Sequence, residues 1–463
     1  MMKKNILPII MLSALYLFLS MPSSAQINPT IQNSLYNPGN WDTAGNLTDT
    51  FWLHPPKYIP GQDWGVFSGN WKTTPSITGS WGGLRDKLER KGVQIIPAYF
   101  GQFAANPLGG EKKGDSWKGD IGVSLFVDLE RLTGWKGGYM LISGTYVNPG
   151  RNLSGDYIGN FFPVQMDSLD ENGGARLVHF ALAQQLFNNT TELVLGRIIT
   201  GEDFAFTRLA CTSVSPSICA NPIAGRQTVT FPTYPIATWG ARLKYKPNRT
   251  WYTQVGTYLV YEGLGNSNTG GLSFRVPNGS GMLTLGEVGY YLNNTRDVPG
   301  FPGVIKAGGY YTTERLTELD TGKNADGSWG IYLIGENKLY SEKSRPSEGL
   351  SGFLALSYSP EDRNEITFMA SGGLSYQGVI PDRSFDTLAF NFAYGLFSDD
   401  LNEFNRENGD PTQDAETYLE LNYRIQVAPW LFLQPTTQVI IKPDGRSDID
   451  DAFVLGFAVG TVL

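Results

Sequence analysis

Polar and apolar side chains alternate with a period of two over long stretches of this chain, most plainly at 416–427. Thr417, Leu419, Leu421, Tyr423, Ile425 and Val427 are apolar or interfacial, whereas Glu416, Glu420, Asn422, Arg424 and Gln426 are polar and only Tyr418 is mixed. Successive side chains of a strand point to opposite faces, so this pattern predicts a ribbon with one apolar and one wet face. The wet face carries charges of both signs, which suits a water-filled lumen better than a packed core. A short turn at 428–430 leads into a second ribbon at 431–441. The chain ends in a third at 453–463, with Phe453, Leu455, Phe457, Val459 and Leu463 on one side and Val454, Gly456, Ala458, Gly460 and Val462 on the other. Long alternating strands, a tight turn and an apolar terminal strand are what a transmembrane β-barrel requires.

The same reading finds strands at 93–103, 117–129, 138–148, 175–187, 191–197, 237–245, 251–261, 281–292, 304–313, 329–340, 349–359, 365–376 and 388–397. With the three terminal ribbons the total is about sixteen, an even number in the range where the lumen becomes an aqueous channel. The expected fold is all-β: a transmembrane antiparallel β-barrel of about sixteen strands with a short N-terminal periplasmic helix. The stretch 281–292 is out of phase, because Glu287 shares parity with Leu283 and Leu285, and a bulge is expected there. Connections at 188–190 and 246–250 are short and polar, as periplasmic turns are; those at 149–174 and 198–236 are long, as extracellular or inward-folding loops are. Placing 428–430 in the periplasm and counting back strand by strand puts both short turns on the same side.

A chain of 463 residues suggests about three domains by length, but barrels grow by adding strands. Gly 55 and 13% aromatic residues fit tight turns and interfacial girdles, and a net charge of −8 argues against a nucleic-acid partner and weakens any strongly anion-selective pore. Lys3 and Lys4 precede an apolar run at 6–19 and the small residues Ser23, Ser24 and Ala25, so 1–25 reads as a signal peptide. That run contains Pro8 and is too short for the ~20 residues of a membrane span. No later segment is long and apolar enough for a transmembrane helix, so an exported chain of strands points to an outer membrane and its lipid. Residues 26–78 are rich in Asn, Pro, Thr, Gly and Trp without a period. They read as an irregular periplasmic extension, with Trp41, Trp52, Trp64 and Trp71 lying against the barrel mouth. The barrel unit is expected over 79–463.

At its start, Leu84 and Leu88 stand four apart and Gly92 supplies a stop, which predicts a short helix over 84–91. The run Trp81-Gly-Gly-Leu-Arg85 entering a first strand resembles the carbohydrate-selective porins of the OprB family. The resemblance continues in order through 120–130, Leu132-Thr-Gly-Trp-Lys-Gly-Gly138, Leu153-Ser-Gly-Asp-Tyr-Ile-Gly-Asn160 and Pro429-Trp-Leu-Phe-Leu-Gln-Pro435. It spans about Gly79 to the C-terminus. Leu463 departs from the aromatic residue that ends many outer-membrane barrels, and the extension before Gly79 is not covered. The resemblance implies passive passage of mono- or oligosaccharides through a narrowed eyelet, and a homotrimer.

Chemistry other than transport finds little support. His54 and His179 are far apart in sequence and too few for a Ser/His or zinc site, and His179 reads as an ordinary lumen or interface residue. No phosphate-binding glycine loop is present. The stretch 320–328 has some calcium-loop residues, but its glycine is misplaced and the closing Glu is missing, so it reads as a solvated loop. No metal, no cofactor and no enzymatic activity are expected. Cys211 and Cys219, the two cysteines, share the long loop 198–236 and are expected to pair in an oxidising compartment. That loop follows the fifth strand, where porin-type barrels fold a loop inward; a bridge there either stiffens a constriction or protects a surface loop.

A pyranose offers CH faces for aromatic rings and hydroxyls for Arg, Asp, Glu, Asn and Gln. On the first long loop this selects Asp156, Tyr157 and Phe161, and near the cysteine loop Arg197, Asp203 and Phe204. Strand parity adds Arg242, Glu420 and Arg424. Each of the charged residues serves equally well to hydrate a channel. A general diffusion porin is the nearest alternative. A secreted glycan-binding protein or hydrolase is a further one, and the rows of outward Leu, Phe, Ile and Val speak against it.

Overall fold

The alternation along the chain becomes an inside and an outside. In the computed structural model, residues 76–166, 173–219, 221–266, 269–273, 275–292, 301–345 and 347–463 are described. The expected signal peptide, nearly all of the expected extension, His54 and the four early tryptophans lie outside them. Helix α1 (Leu84–Arg90) is followed by strands β1 (Val93–Leu108), β2 (Asp115–Asp128), β3 (Gly138–Asn148), β4 (Gly174–Leu186), β5 (Thr191–Ile198), β6 (Thr238–Tyr245), β7 (Trp251–Val260) and β8 (Gly281–Leu292). The second half comprises β9 (Gly303–Thr317), β10 (Asn324–Lys338), β11 (Gly349–Tyr358), β12 (Ile366–Gln377), β13 (Thr387–Phe397), β14 (Ala415–Ala428), β15 (Leu431–Ile441) and β16 (Ala452–Val462). Each strand pairs antiparallel with its chain neighbours and β1 pairs with β16, which closes the barrel.

Register keeps the two faces apart. Leu421 of β14 lies opposite Phe390 and Thr437 and is half exposed, part of an outward apolar row with Ile331, Leu333, Leu354 and Leu374. Its strand neighbours Glu420 and Asn422 are buried on the inner side. A closed sheet has no edge, so every strand can face lipid with side chains while its backbone groups are paired within the wall.

At the periplasmic rim α1 meets the end of the chain. The Ile77 amide donates to the Val462 carbonyl at 3.1 Å, and the Arg85 guanidinium donates to the carbonyls of Gly79 (3.0 Å) and Leu463 (3.1 Å) while lying over the Trp81 ring at 4.2 Å. Burial pushes the Glu89 carboxyl up to about 7; nearby Arg85 pulls the other way and Asp86 adds to the rise.

Three details differ from the sequence reading. β10 begins at Asn324, so 324–328 is strand rather than solvated loop. The β8 pairing runs without a register shift on either side, so the expected bulge is absent. Glu287, Leu283 and Leu285 all face inward, because the lumen there is filled by loop residues that are partly apolar. Helix α2 (Asp399–Asn408), after β13, was not expected, although its signals are local. Ser398 Oγ accepts from the Leu401 amide at 3.2 Å, and Gly409 ends the helix at φ 76°.

The apolar core is therefore inside the barrel, between loops and wall. One cluster joins Phe204, Ile223 and Phe231 to wall residues Tyr258, Leu283, Leu285 and Tyr310. Another joins Phe162, Val164, Leu209 and Ile218 to Phe397, Tyr418 and Ile440.

Candidate functional site

Between β5 and β6 the chain leaves the wall at 199 and returns at 237, folding inward on the way. Its root is tied by Thr200, whose amide and hydroxyl both donate to the Pro232 carbonyl (2.7 and 2.8 Å) and whose hydroxyl also reaches Asn221 Oδ1 at 3.1 Å. Asn221 Nδ2 donates back to the Phe204 carbonyl at 2.6 Å. The outgoing and returning limbs are thus joined where they meet the wall.

From the root the loop is pinned strand by strand. Asp203 lies 3.1 Å from Arg242 of β6, which also contacts Glu192 of β5; all three side chains are at least nine-tenths buried. Gln254 of β7 donates to the Asp203 carbonyl at 2.6 Å, and Glu287 of β8 accepts the Ala205 amide at 2.9 Å. Lys306 of β9 donates to the Phe206 carbonyl at 2.6 Å, and the Thr207 hydroxyl donates to Glu336 of β10. The loop then crosses the lumen. Asn422 of β14 and Gln434 of β15 each donate to the Thr212 carbonyl at 2.8 Å. Glu420 accepts from the Ser213 hydroxyl at 2.6 Å and the Val214 amide at 3.2 Å, and Gln102 of β1 donates to the Val214 carbonyl at 3.1 Å.

Beyond Val214 the chain turns back towards the root, through a disulfide between Cys211 and Cys219 whose Cα atoms are 4.3 Å apart. The returning limb touches Ser357 of β11 through the Ala224 amide (2.8 Å) and Glu314 of β9 through the Thr230 amide (3.0 Å). It reaches Asp120 of β2 through the Tyr234 hydroxyl (2.5 Å). A polar wall lets this happen: inward Glu, Gln and Asn side chains on several strands meet loop amides, carbonyls and hydroxyls, so that buried loop backbone finds partners.

The inner face of β2–β4 meets the loop through side chains. There Asp120 meets Tyr234, and His179 of β4 lies 3.2 Å from Glu202 of the root. His179 Nδ1 is 2.8 Å from the Ser143 hydroxyl of β3. Register explains its aim, since Ile142 pairs with Phe180 but Gly144 with Leu177, leaving Val178 and His179 opposite Ser143 alone. Such a bulge re-aims a side chain.

The first long loop also packs inside over its described residues 160–166. Glu416 of β14 accepts the amides of Phe161 and Phe162 at 2.7 Å and of Asp444 at 2.6 Å, and Gln438 of β15 donates to the Val164 carbonyl at 2.8 Å.

The family model for "Carbohydrate-selective porin, OprB family" matches residues 112–463, well over half of the chain. The chain belongs to that family. It is an outer-membrane sugar porin. Porin B of Pseudomonas aeruginosa is 28% identical over 418 residues, covering 83% of this chain and 91% of that protein. The putative porin QuiX of Acinetobacter baylyi is 23% identical over 415 residues, covering 83% and 92%. Among solved structures, the high-pH structure of Pseudomonas putida OprB superposes with a TM-score of 0.77 at 24% identity, covering 84% of this chain and 98% of that one, which establishes the same fold.

The residues singled out in the sequence fall into distinct places in this porin. Asp203, Phe204 and Arg242 come together, with Phe204 edge-on to Tyr258 at 6.3 Å, as the buried anchor of the loop root. Glu420 anchors the far limb, and Arg424 stacks on Phe432 at 3.6 Å lower on the inner wall. Phe161 packs edge-on to Phe397 at 5.2 Å. Asp156 is exposed and Tyr157 lies 4.9 Å from the Lys112 ammonium, both at the extracellular end, apart from the inward loop's anchors. Arg197 is a correction. It pairs in register with Phe180 and Trp239, in the outward row, and donates to the Ala237 carbonyl at 2.6 Å. One residue of parity puts it outside the lumen. Asp120, Tyr234, Ser143, His179 and Glu202 were missed as a group. His179 was legible as a lumen or interface residue; the grouping needed the loop path and the register shift of β4.

Proposed function

We propose that sugars cross this porin passively, by diffusion through a lumen narrowed by the loop 199–237, without energy input. The observation that carries the reading is the attachment of that loop to wall strands on both sides of the barrel, midway along their length. A belt at that height narrows the path while the polar inner rows keep it wet, and binding stays weak enough for release. Mono- and oligosaccharides are the solutes this chemistry suits, and a homotrimer in outer-membrane lipid is the assembly, with residues 1–25 removed on export.

Single-channel recording of the purified porin in planar bilayers, titrated with several sugars, tests it. Concentration-dependent, reversible interruption of ion current by sugars is the expected result. Ion current indifferent to every sugar at millimolar concentration would overturn selective passage and leave a general diffusion pore.

A further inference from the structure

The loop is attached to the wall on both sides of the lumen. From Val214, held on β1, the chain runs back through Ser215–Asn221 to Thr200 and Phe204 at the root. The loop also meets the inner face of β2–β4 through side chains, Tyr234 to Asp120 and Glu202 to His179.

Tyr234 is held at its base and polar at its tip. Its ring packs on Val178, Ile199 and Ala237, and its hydroxyl donates to Asp120 Oδ2 at 2.5 Å. A carboxylate has about four acceptor positions, and the Tyr234 hydroxyl occupies one. In the same inward row of β2, two residues along, stands Lys118, opposite Gln102 in register. A ring packed at its base and a carboxylate with acceptor positions therefore meet in the channel. Each answers one part of a pyranose: the CH face stacks on an aromatic ring and neighbouring hydroxyls donate to a carboxylate.

We propose that Tyr234 and Asp120 are the solute-reading pair of this channel, with the pyranose face on the Tyr234 ring and two adjacent sugar hydroxyls on the Asp120 carboxylate. The proposal rests on the reading of the chain as a sugar channel and assigns its selectivity to two residues. It makes ring closure of the solute matter: an open-chain hexitol has hydroxyls for Asp120 but no flat CH face for Tyr234.

The test compares current block by glucose and by mannitol in single channels, so that only folded, inserted protein is read. The parent is expected to be blocked more strongly by glucose. Tyr234→Ala removes that preference, whereas Tyr234→Phe keeps the ring and keeps it. Asp120→Asn weakens block by both solutes by about tenfold or more, the effect of losing hydrogen bonds to a charged group. Asp115→Asn, exposed at the extracellular end of β2, blocks as the parent does. A glucose preference that survives Tyr234→Ala, or block unchanged by Asp120→Asn, overturns the pair while leaving the sugar-channel reading intact. A parent blocked by neither solute overturns both.

Discussion

Glu420 on the barrel wall accepts the hydroxyl of Ser213 at 2.6 Å, two hundred residues earlier in the chain. The contact turns a charge that strand parity places in the lumen into the far mooring of the inward loop. Tyr418 and Asn422, its neighbours on the same inward face, both donate to it as well.

Glu420→Ala should therefore detach the loop at Val214. It leaves several buried donors without an acceptor, at about 1–3 kcal/mol each. Larger, noisier open-channel current and several-fold weaker sugar block are expected in planar bilayers. Parent-like current and noise would show that Thr212 and Gln102 hold the limb unaided.

Arg242→Leu should damage folding more than function. It strands Glu192 and Asp203 in a buried site, and breaking such a pair costs about 3–5 kcal/mol. Urea titration of the detergent-solubilised barrel should show a lowered midpoint. Replacing all three groups together with Gln, Asn and Met should recover much of the loss, because no buried charge then lacks a partner.

The Cys211–Cys219 bridge should be found intact in unreduced peptide maps of protein from the outer membrane. Reduction is expected to increase current noise and protease cleavage within 212–218, with the barrel's heat-dependent gel mobility unchanged, since wall anchors flank the bridge. Two free thiols in the native protein would contradict this.

Helix α1 should dock more firmly in mild acid. The Glu89 carboxyl is raised to about 7, so it favours the docked state fully below its unfolded value near 4.5 and that contribution fades as pH rises through 7. Hydrogen exchange of peptides covering 79–92 should be slower at pH 5 than at pH 8 after correction for intrinsic rates. Glu89→Gln should flatten the difference.

Arg197→Ala should leave sugar block at the parent level, because its side chain belongs to the outward row. Losing its bond to the Ala237 carbonyl should instead lower thermal stability, by about 1.5–3 kcal/mol if the site stays dry. Weakened sugar block in this variant would mean that the wall at β5 shapes the passage.

The two-residue period by itself determined the barrel. Side chains of a strand must alternate, so Leu419, Leu421 and Tyr423 could only face lipid if Glu420 and Asn422 faced the lumen, and sixteen such ribbons leave one closed arrangement. The cysteine spacing carried the bridge. What parity cannot show is what fills a lumen. Leu283 and Leu285 shared a face with Glu287 because Phe204 and Ala205 come to rest there, which a period reads as a fault in the strand. Arg197 was misplaced for the converse reason: it stands at a strand end, beside the loop that looked functional, on the face that is not. The Tyr234–Asp120 contact joins residues 114 positions apart, and the Ser143–His179 contact forms where β4 shifts register on β3. Those relationships arise when the loop closes on the wall, and no local pattern in the chain encodes them.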